Sequence, residues 1–357
     1  MRVLILSRYD RQGASSRLRT MQYVPLLEAY GFHVDISPLL SSDYLQEMYL
    51  GRRSWANISQ AFLRRMRQAR SKVDLIWLEK EMLPWAPLVL EQAAWPDRTP
   101  VVTDYDDAIF HRYDRSSNWL TRKILGRKID SVMRTSDLVL AGNEYLAERA
   151  RRAGSVRVEI APTVVDISRY ATGSGKRLDG RLRLGWIGTP ETWKSFASSY
   201  ESMLAKLAAE HGAVVRLVGA GDHASVREPF EVLAWSEDTE VESIQGMDIG
   251  LMPLPDTPWT RGKCGYKLIQ YMACGLPVVA SPVGVNAEIV EHGVNGFLAS
   301  SEAEWVEVLD TLIADPDLRR RMGAAGRKKV EDHYSLQVQG PRVARLLAEV
   351  AQSAQAL

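Results

Sequence analysis

Short apolar runs alternate along the chain with stretches whose apolar positions recur at helical spacing. Residues 3–6 form a continuous apolar run, which is typical of a buried strand. A polar segment with Gly13 follows, and then a predicted helix that ends at Gly31. A second strand begins at Phe32. Strand, loop, helix and strand in this order are the unit of a doubly wound parallel sheet.

The same alternation continues and then restarts after a small, polar stretch at residues 171–181. Before that stretch it predicts strands at 73–78, 101–103 and 137–141 and helices at 120–133 and 144–153. After it, strands are predicted at 182–187, 214–218, 249–252 and 277–280 and helices at 193–208 and 265–273. We therefore predict an N-terminal Rossmann-like domain at 1–170, a linker at 171–181 and a C-terminal Rossmann-like domain at 182–335. A last helix at 336–357 is expected to pack back toward the first domain.

Composition places this α/β chain among globular proteins with an uneven charge distribution. Its length of 357 residues suits two domains, and no apolar run reaches the length of a membrane span. The first apolar run is too short for a signal peptide, so a cytoplasmic protein is predicted. Residues 1–170 hold 26 Lys and Arg against 20 Asp and Glu, and the remainder is acidic. The basic half is expected to meet an anionic surface, and no nucleic-acid partner is predicted.

Residues 51–72 carry much of this basic charge. The segment holds seven basic residues and no acidic ones, with large apolar side chains between them. A basic amphipathic helix of this kind is typical of an interface with an anionic membrane, where the protein would be peripheral. An ordinary surface helix packed by its apolar stripe explains the pattern equally well, and both interpretations stay open.

The densest chemical signal is the string R-G-K-C-G-Y-K-L-I-Q-Y-M-A-C-G-L-P-V-V-A-S at residues 261–281. Gly262 and Gly265 precede a predicted helix, whose N-terminus favours a phosphate group. Lys263 and Lys267 add full positive charges, and the amide of Gln270 could bond a ribose hydroxyl. The alternative is a glycine-capped helix before a core strand.

A second candidate site is acidic and follows the predicted strand at 101–103. Asp104, Asp106 and Asp107 lie within four positions, so at least one of their pKa values should be raised. The carboxylates could position a reacting group or a hydroxyl of a substrate, or bind a divalent ion. A loop that caps the next helix is the alternative.

The string at 261–281 resembles the donor-binding element of the family-four retaining glycosyltransferases (group 1), where an E-x7-E motif leads into E-A-M-A-x-G-x-P-V-V-A. Further stretches at 137–166, 214–221, 248–254 and 281–298 resemble that family in the same order. The resemblance implies the GT-B fold, in which two Rossmann-like domains face each other across a cleft. It also implies a C-terminal domain that holds a nucleotide-sugar co-substrate, retention of configuration, and no obligatory metal or other cofactor.

This sequence departs from the family pattern at several of the residues that matter. Gly262 and Gln270 occupy the positions of the two glutamates. The family's Arg and Lys phosphate pair, which follows Gly188, maps to Thr189 and Lys194, so the arginine is replaced. By the resemblance, catalytic residues are predicted at Asp104, Asp106, Asp107 and Lys194, and donor-binding residues at Gly13, Gly188, Thr189, Lys194, Gly262, Lys263, Cys264, Gly265, Lys267 and Gln270.

The resulting expectation is a glycosyltransferase of the hexosyltransferase type. It would move a sugar from a nucleotide sugar to a saccharide or lipid-linked acceptor, in bacterial cell-surface polysaccharide or glycolipid synthesis. Two alternatives stay open. The replaced family residues would suit a catalytically impaired GT-B protein that acts as a binding or assembly partner, and a sugar epimerase of the same fold is the other.

Overall fold

The computed structural model describes residues 1–41, 55–170, 179–221 and 227–355. Most of the predicted linker and the first basic residues of segment 51–72 lie outside the described residues. The chain divides into two compact units. The first unit contains Met1–Thr163, Gly262–Cys264 and Gln339–Leu357, and the second contains Val164–Arg261 and Gly265–Val338.

The first unit is built on a parallel sheet with the order β2-β1-β3-β4-β5-β6. Its strands are β1 (Arg2–Leu6), β2 (His33–Ile36), β3 (Leu75–Glu79), β4 (Val101–Tyr105), β5 (Leu138–Ala141) and β6 (Val158–Ile160). The central strands β3, β4 and β5 are buried along their whole length. Burial on both faces is why they appear in the sequence as continuous apolar runs rather than as alternating patterns.

Helices connect these strands. They are Ala14–Arg19, the 3₁₀ turn Met21–Tyr23, Val24–Ala29, Trp55–Gln68, Leu88–Ala94, His111–Asp114, Trp119–Leu125, Lys128–Thr135 and Glu144–Ala153. The prediction of a single helix at 120–133 is wrong, because the helix is interrupted at Gly126 and Arg127. Glycine disfavours a helix interior by about 1 kcal/mol, and Arg127 at φ −106° and ψ 5° has left the helical conformation.

The second unit is built on a parallel sheet with the order β12-β11-β10-β7-β8-β9. Its strands are β7 (Arg183–Ile187), β8 (Val214–Val218), β9 (Phe230–Leu233), β10 (Ile249–Met252), β11 (Val278–Ala280) and β12 (Gly296–Leu298). Renumbered within the unit, this is the Rossmann order 3-2-1-4-5-6 in reverse. The predicted α/β fold with two doubly wound parallel sheets is therefore confirmed.

The helices of the second unit are mostly short before β11 and long after β12. They are the 3₁₀ turn Ile167–Arg169, Pro190–Thr192, the π turn Trp193–Ala197, the 3₁₀ turn Ser198–Tyr200, Glu201–Glu210, Glu240–Gln245, Pro258–Arg261, Tyr266–Ala273, Asn286–Ile289, Glu302–Ala314 and Pro316–His333. The last helix, Leu336–Gln355, belongs to the first unit from Gln339 onward. Within the described residues, no helix combines the length and the apolar character needed to cross a membrane.

The observed division differs from the predicted boundary at residue 170. Residues from Val164 onward belong to the second unit, where Val165 forms a parallel bridge with Ser335 and Tyr170 packs in the core. The C-terminal residues are held within the first unit by ion pairs of 2.8 Å between Arg342 and Glu159 and 2.7 Å between Arg157 and Glu349.

Candidate functional site

Each sheet has one point where the strand order reverses, and ligands of such sheets bind outside the carboxyl ends of the strands at that point. In the first unit the reversal lies between β1 and β3. The buried carboxylate of Glu79, at the end of β3, accepts hydrogen bonds from the Arg8 backbone N–H at 2.8 Å and from the Ser16 hydroxyl at 2.5 Å. Its Oε1 atom is buried, has no hydrogen-bond partner among the described residues and lies 3.9 Å from the Lys80 ammonium.

Lys80 directly follows β3 in a backbone conformation that is rare for a residue with a side chain. Its φ is +66°, and such strain is concentrated at functional sites. The conformation is stabilised from both ends, since its ammonium lies 2.7 Å from Asp106 and its carbonyl accepts from the Tyr105 hydroxyl at 2.8 Å. The ammonium also donates to the Ser15 hydroxyl at 3.1 Å.

Glu81 completes the turn after β3 and is buried as well. The Tyr113 hydroxyl contacts both of its carboxylate oxygens, and the fully buried Lys128 ammonium lies 2.8 Å from one of them. These contacts fix the turn from the side of the sheet that carries helix Lys128–Thr135. The turn 79–81 is therefore held by buried polar contacts.

Asp104 occupies a different environment from the other two predicted carboxylates. It is 1% exposed and forms a bidentate ion pair with Arg19, at 2.7 and 3.1 Å. Burial raises the pKa of Asp104 to about 6, although the attraction of Arg19 opposes the shift. One of the three pKa values is therefore raised, as predicted, but mainly by burial rather than by the neighbouring carboxylates. Both oxygens of Asp104 are engaged by a buried guanidinium, and its catalytic role stays a prediction.

Asp106 and Asp107 each face a lysine. Burial alone would raise the pKa of Asp106, but the Lys80 ammonium outweighs it and holds that pKa at about 2. Asp107 accepts from the Lys263 ammonium at 2.9 Å. The structure thus brings two of the predicted catalytic carboxylates together with one predicted donor-binding lysine, all within the first unit.

The segment Gly262–Cys264 belongs to the first unit, although its sequence neighbours on both sides belong to the second. A Cβ atom on Gly262 would lie 2.5 Å from the Ala108 Cβ and 2.8 Å from the Ala108 backbone nitrogen, so no larger residue fits there. The Cys264 thiol donates to the Asp106 carbonyl at 3.1 Å, and burial raises its pKa to about 12. The Lys263 carbonyl accepts from the Asn143 amide at 2.9 Å.

Gly13 is required by the local turn that precedes helix Ala14–Arg19. A Cβ atom there would lie 2.5 Å from the Tyr9 Cβ, and the Gly13 N–H donates to the Asp10 carbonyl at 3.0 Å. This packing accounts for the glycine without a ligand. Its approach to a donor diphosphate stays a prediction.

In the second unit the strand order reverses between β7 and β10, and Tyr271 occupies that position. The two strands pair only through Leu184 and Gly185. Beyond that point the Tyr271 hydroxyl accepts from the Ile187 N–H at 3.0 Å and donates to the Leu251 carbonyl at 3.3 Å. One buried side chain of helix Tyr266–Ala273 therefore connects this helix to both strands at the crevice.

The loop after β7 carries three of the predicted donor-binding residues. Gly188 has no room for a side chain, since a Cβ atom would lie 2.6 Å from the Trp186 ring. Thr189 caps the next turn through reciprocal bonds with Thr192. Lys194 is exposed and lies in the π turn Trp193–Ala197, a helix variant that is frequent at functional sites.

Helix Tyr266–Ala273 begins beside this loop, and Trp186 lies between the two. Gly265 caps the helix with φ +65°, and the Lys267 ammonium lies 5.2 Å from the centre of the Trp186 ring. Gly188 and Lys267 are thus brought to the same aromatic ring, which sequence reasoning missed. Gln270 is buried, and its amide donates to the Tyr170 hydroxyl at 3.2 Å. Its predicted bond to a ribose stays a prediction.

Among the residues that the structure describes, no group of three or more His, Cys, Asp or Glu side chains could hold a metal ion. Lysine and arginine side chains supply positive charge in both units. Several are already paired, as with Arg261, which forms a bidentate contact with Asp256 at 2.7 and 2.9 Å.

Solved structures define the class of fold. HepE from Anabaena, solved in complex with UDP-glucose, matches with a TM-score of 0.74 at 16% identity, over 98% of this chain and 100% of that one. Sucrose-phosphate synthase from Thermosynechococcus elongatus matches with a TM-score of 0.70 at 14% identity, over 99% and 100% of the two chains. The protein therefore has the GT-B fold.

Sequence comparison then gives a match within the second unit. Residues 181–315 match the model of the family described as Glycosyl transferases group 1. A curated relative is a GDP-mannose-dependent monoacylated alpha-(1-6)-phosphatidylinositol monomannoside mannosyltransferase from Corynebacterium glutamicum, 28% identical over 216 residues. The alignment covers 53% of this chain, which spans about half the length of that relative (55%).

Proposed function

We propose that the protein transfers a glycosyl residue from a nucleotide sugar to an acceptor hydroxyl. The observation that carries the proposal is the arrangement around Trp186. Gly188, Lys267 and the start of a helix capped by Gly265 meet there, at the carboxyl end of β7 and inside the segment that matches the family. Close backbone approach, a helix N-terminus and a lysine together suit a diphosphate.

In this proposal the second unit binds the donor. Lys267 and Lys194 place positive charge where the leaving nucleoside diphosphate develops its negative charge. A preorganised contact of this kind typically contributes about 10²–10³ in rate. Lysine charge and the helix terminus would supply the stabilisation that a metal supplies elsewhere, so we propose transfer without an obligatory metal.

The acceptor is proposed to bind to the first unit at the turn 79–81. One buried oxygen of Glu79 has no hydrogen-bond partner in the described part of the chain, and Lys80 holds a strained conformation next to Asp106. The carboxylate network would orient the acceptor hydroxyl. We propose retention of configuration, in which the departing phosphate oxygen takes the proton of the acceptor.

The proposed acceptor is a saccharide or a lipid-linked saccharide in cell-surface glycolipid or polysaccharide synthesis, at the cytoplasmic face of a membrane. The lipid acceptor in the name of the Corynebacterium relative supports this choice. Helix Trp55–Gln68 turns Arg65 inward, where it donates to the carbonyls of Ser7 and Ser37, while Arg64 and Arg67 stay exposed. We propose that these exposed basic residues of segment 51–72 attract an anionic membrane surface.

One observation favours a second candidate, a GT-B protein that binds without turnover. Gly262 stands where the family has a glutamate, and the packing against Ala108 leaves no space for that side chain. Thr189 likewise replaces the family arginine. A protein that retained the donor crevice but lost these groups would bind nucleotide sugars and assemble with partners.

The test is turnover by the purified protein with radiolabelled UDP- and GDP-sugars, with and without lipid-linked acceptors and with EDTA present. We expect transfer that survives EDTA. We also expect the anomeric configuration of the product, read by NMR as an axial or equatorial linkage, to be the same as that of the donor. Lys267→Ala should lower kcat by about 10²-fold. Lys206→Ala is the matched control, because Lys206 is exposed on the same unit and its only described partner is Glu210 at 4.0 Å.

Three other results would each select a different conclusion. Binding without transfer or hydrolysis of any donor would support the non-catalytic protein. Isomerisation of a nucleotide sugar in the absence of acceptor would support the epimerase. If EDTA abolished activity and Mg²⁺ restored it, glycosyl transfer would stand and only its independence of metal would be contradicted.

A further inference from the structure

The short helix Trp119–Leu125 of the first unit presents large apolar side chains to solvent. Trp119 is 63% exposed, Leu120 47% and Ile124 49%, whereas Leu125 is buried. At 100° per residue, the three exposed side chains fall on one face and Leu125 on the opposite one. The Asn118 side chain accepts from the Leu120 N–H at 2.9 Å, so the helix is capped and its face is already formed.

Basic residues are frequent in the sequence around this helix. Residues 112–127 contain five basic residues and one acidic residue, Asp114. The basic residues are all exposed, and they are Arg112, Arg115, Arg122, Lys123 and Arg127. The Lys123 ammonium lies 5.9 Å from the centre of the Trp119 ring, so a cation lies on the apolar face itself.

We infer that this face, formed by Trp119, Leu120, Lys123 and Ile124, inserts into the interfacial layer of an anionic lipid bilayer. Tryptophan and aliphatic side chains enter the boundary between headgroups and acyl chains, while lysine and arginine bind anionic headgroups. A second copy of the chain is a poorer occupant, because the centre of a protein interface is depleted of lysine. The proposed function enters this inference only as the reason for membrane binding, which would bring the protein to a lipid-linked acceptor.

This face and the basic helix Trp55–Gln68 differ in what they offer a membrane. In the described part of that helix, Leu63 is the one strongly exposed large apolar side chain, at 57%. Its neighbours Arg64 and Arg67 supply charge. Stable anchoring generally needs two signals, and here one surface would supply charge and the other apolar insertion.

The experiment is co-sedimentation of the full chain with phosphatidylcholine vesicles that contain 30% phosphatidylglycerol, and with phosphatidylcholine alone. We expect binding to the anionic vesicles. The variant Trp119→Ser/Leu120→Ser/Ile124→Ser should bind at least about tenfold more weakly, because the apolar term is lost. The matched control is Val89→Ser/Leu90→Ser, which removes two exposed apolar side chains elsewhere on the same unit and should bind like the wild type.

Circular dichroism and size-exclusion chromatography of each variant check the fold and the oligomeric state. The inference is overturned if the wild type does not bind anionic vesicles, or if the triple variant binds as well as the wild type. It is also overturned if the wild type is a dimer that the triple variant dissociates, since a second copy then covers the face. Vesicle binding without glycosyl transfer would leave this inference standing and would contradict the proposed activity instead.

Discussion

The ion pair between Lys80 and Asp106 offers a quantitative prediction about the turn after β3. The two side chains are 7% and 14% exposed and lie 2.7 Å apart. The pKa of Asp106 is about 2, against about 3.9 for a free aspartate, so the ionised form is stabilised on folding by about 2–3 kcal/mol. Because the folded pKa is the lower one, this stability is present above about pH 4 and is lost as the pH falls toward 2.

Replacing Lys80 by Met removes the partner and leaves a buried carboxylate. Breaking a buried pair in this way typically costs about 3–5 kcal/mol at neutral pH. The double variant Lys80→Met/Asp106→Leu should recover most of that loss. Lys206→Met removes an exposed lysine that lies 4.0 Å from Glu210, so it should cost less than about 1 kcal/mol.

Native-state hydrogen exchange of the β4 amides is a suitable assay, because it reports the first unit even where the two units unfold separately. The measurement should be repeated at 0.5 M NaCl, which screens surface pairs but has little effect on buried ones. A loss below about 1 kcal/mol for Lys80→Met, or an unchanged stability of the wild type between pH 4 and 2, would refute the reasoning.

Two further predictions concern buried side chains of the two units. Tyr271→Phe removes the hydroxyl that connects Ile187 and Leu251, so it should destabilise the protein by about 1–3 kcal/mol and lower the melting temperature. An unchanged melting temperature would show that these two hydrogen bonds contribute nothing to stability. Burial raises the pKa of both Cys264 and Cys274 to about 12, so neither thiol should react with Ellman's reagent at pH 8 until the protein is denatured. Rapid modification of the native protein would contradict this.

The sheets could be predicted from the sequence because their strands carry a local signal. Parallel strands buried on both faces give continuous apolar runs such as β3 and β11, and the periodic stretches between them indicate helices. The interruption at Gly126 and Arg127 was missed, because residues on both sides keep helical spacing and many helices tolerate the cost of a single glycine, about 1 kcal/mol. The sheets and their connecting helices could therefore be predicted from the pattern of apolar residues, but the interruption within a helix could not.

The sites were only partly predictable, because their contacts join residues far apart in the sequence. Arg19 and Asp104 are 85 positions apart, and nothing local shows that the aspartate is neutralised by a buried guanidinium. Lys263 pairs with a carboxylate 156 positions away. Trp186 was recognisable only as a strand residue, since its role as the contact between Gly188 and Lys267 depends on how β7 and helix Tyr266–Ala273 pack.

Direct nucleotide binding tests the central claim that the second unit holds a nucleotide-sugar donor. Thermal shift of the wild type, Lys194→Ala, Lys267→Ala and the control Lys206→Ala should be measured against a panel of nucleoside diphosphates and nucleotide sugars. At a hundredfold excess over Kd, a ligand stabilises the native state by about 2.7 kcal/mol. We predict that one nucleotide series raises the melting temperature of the wild type and of Lys206→Ala, and that the other two variants lose the shift. A panel that shifts none of the proteins, or a shift that Lys194→Ala and Lys267→Ala both retain, would contradict the account.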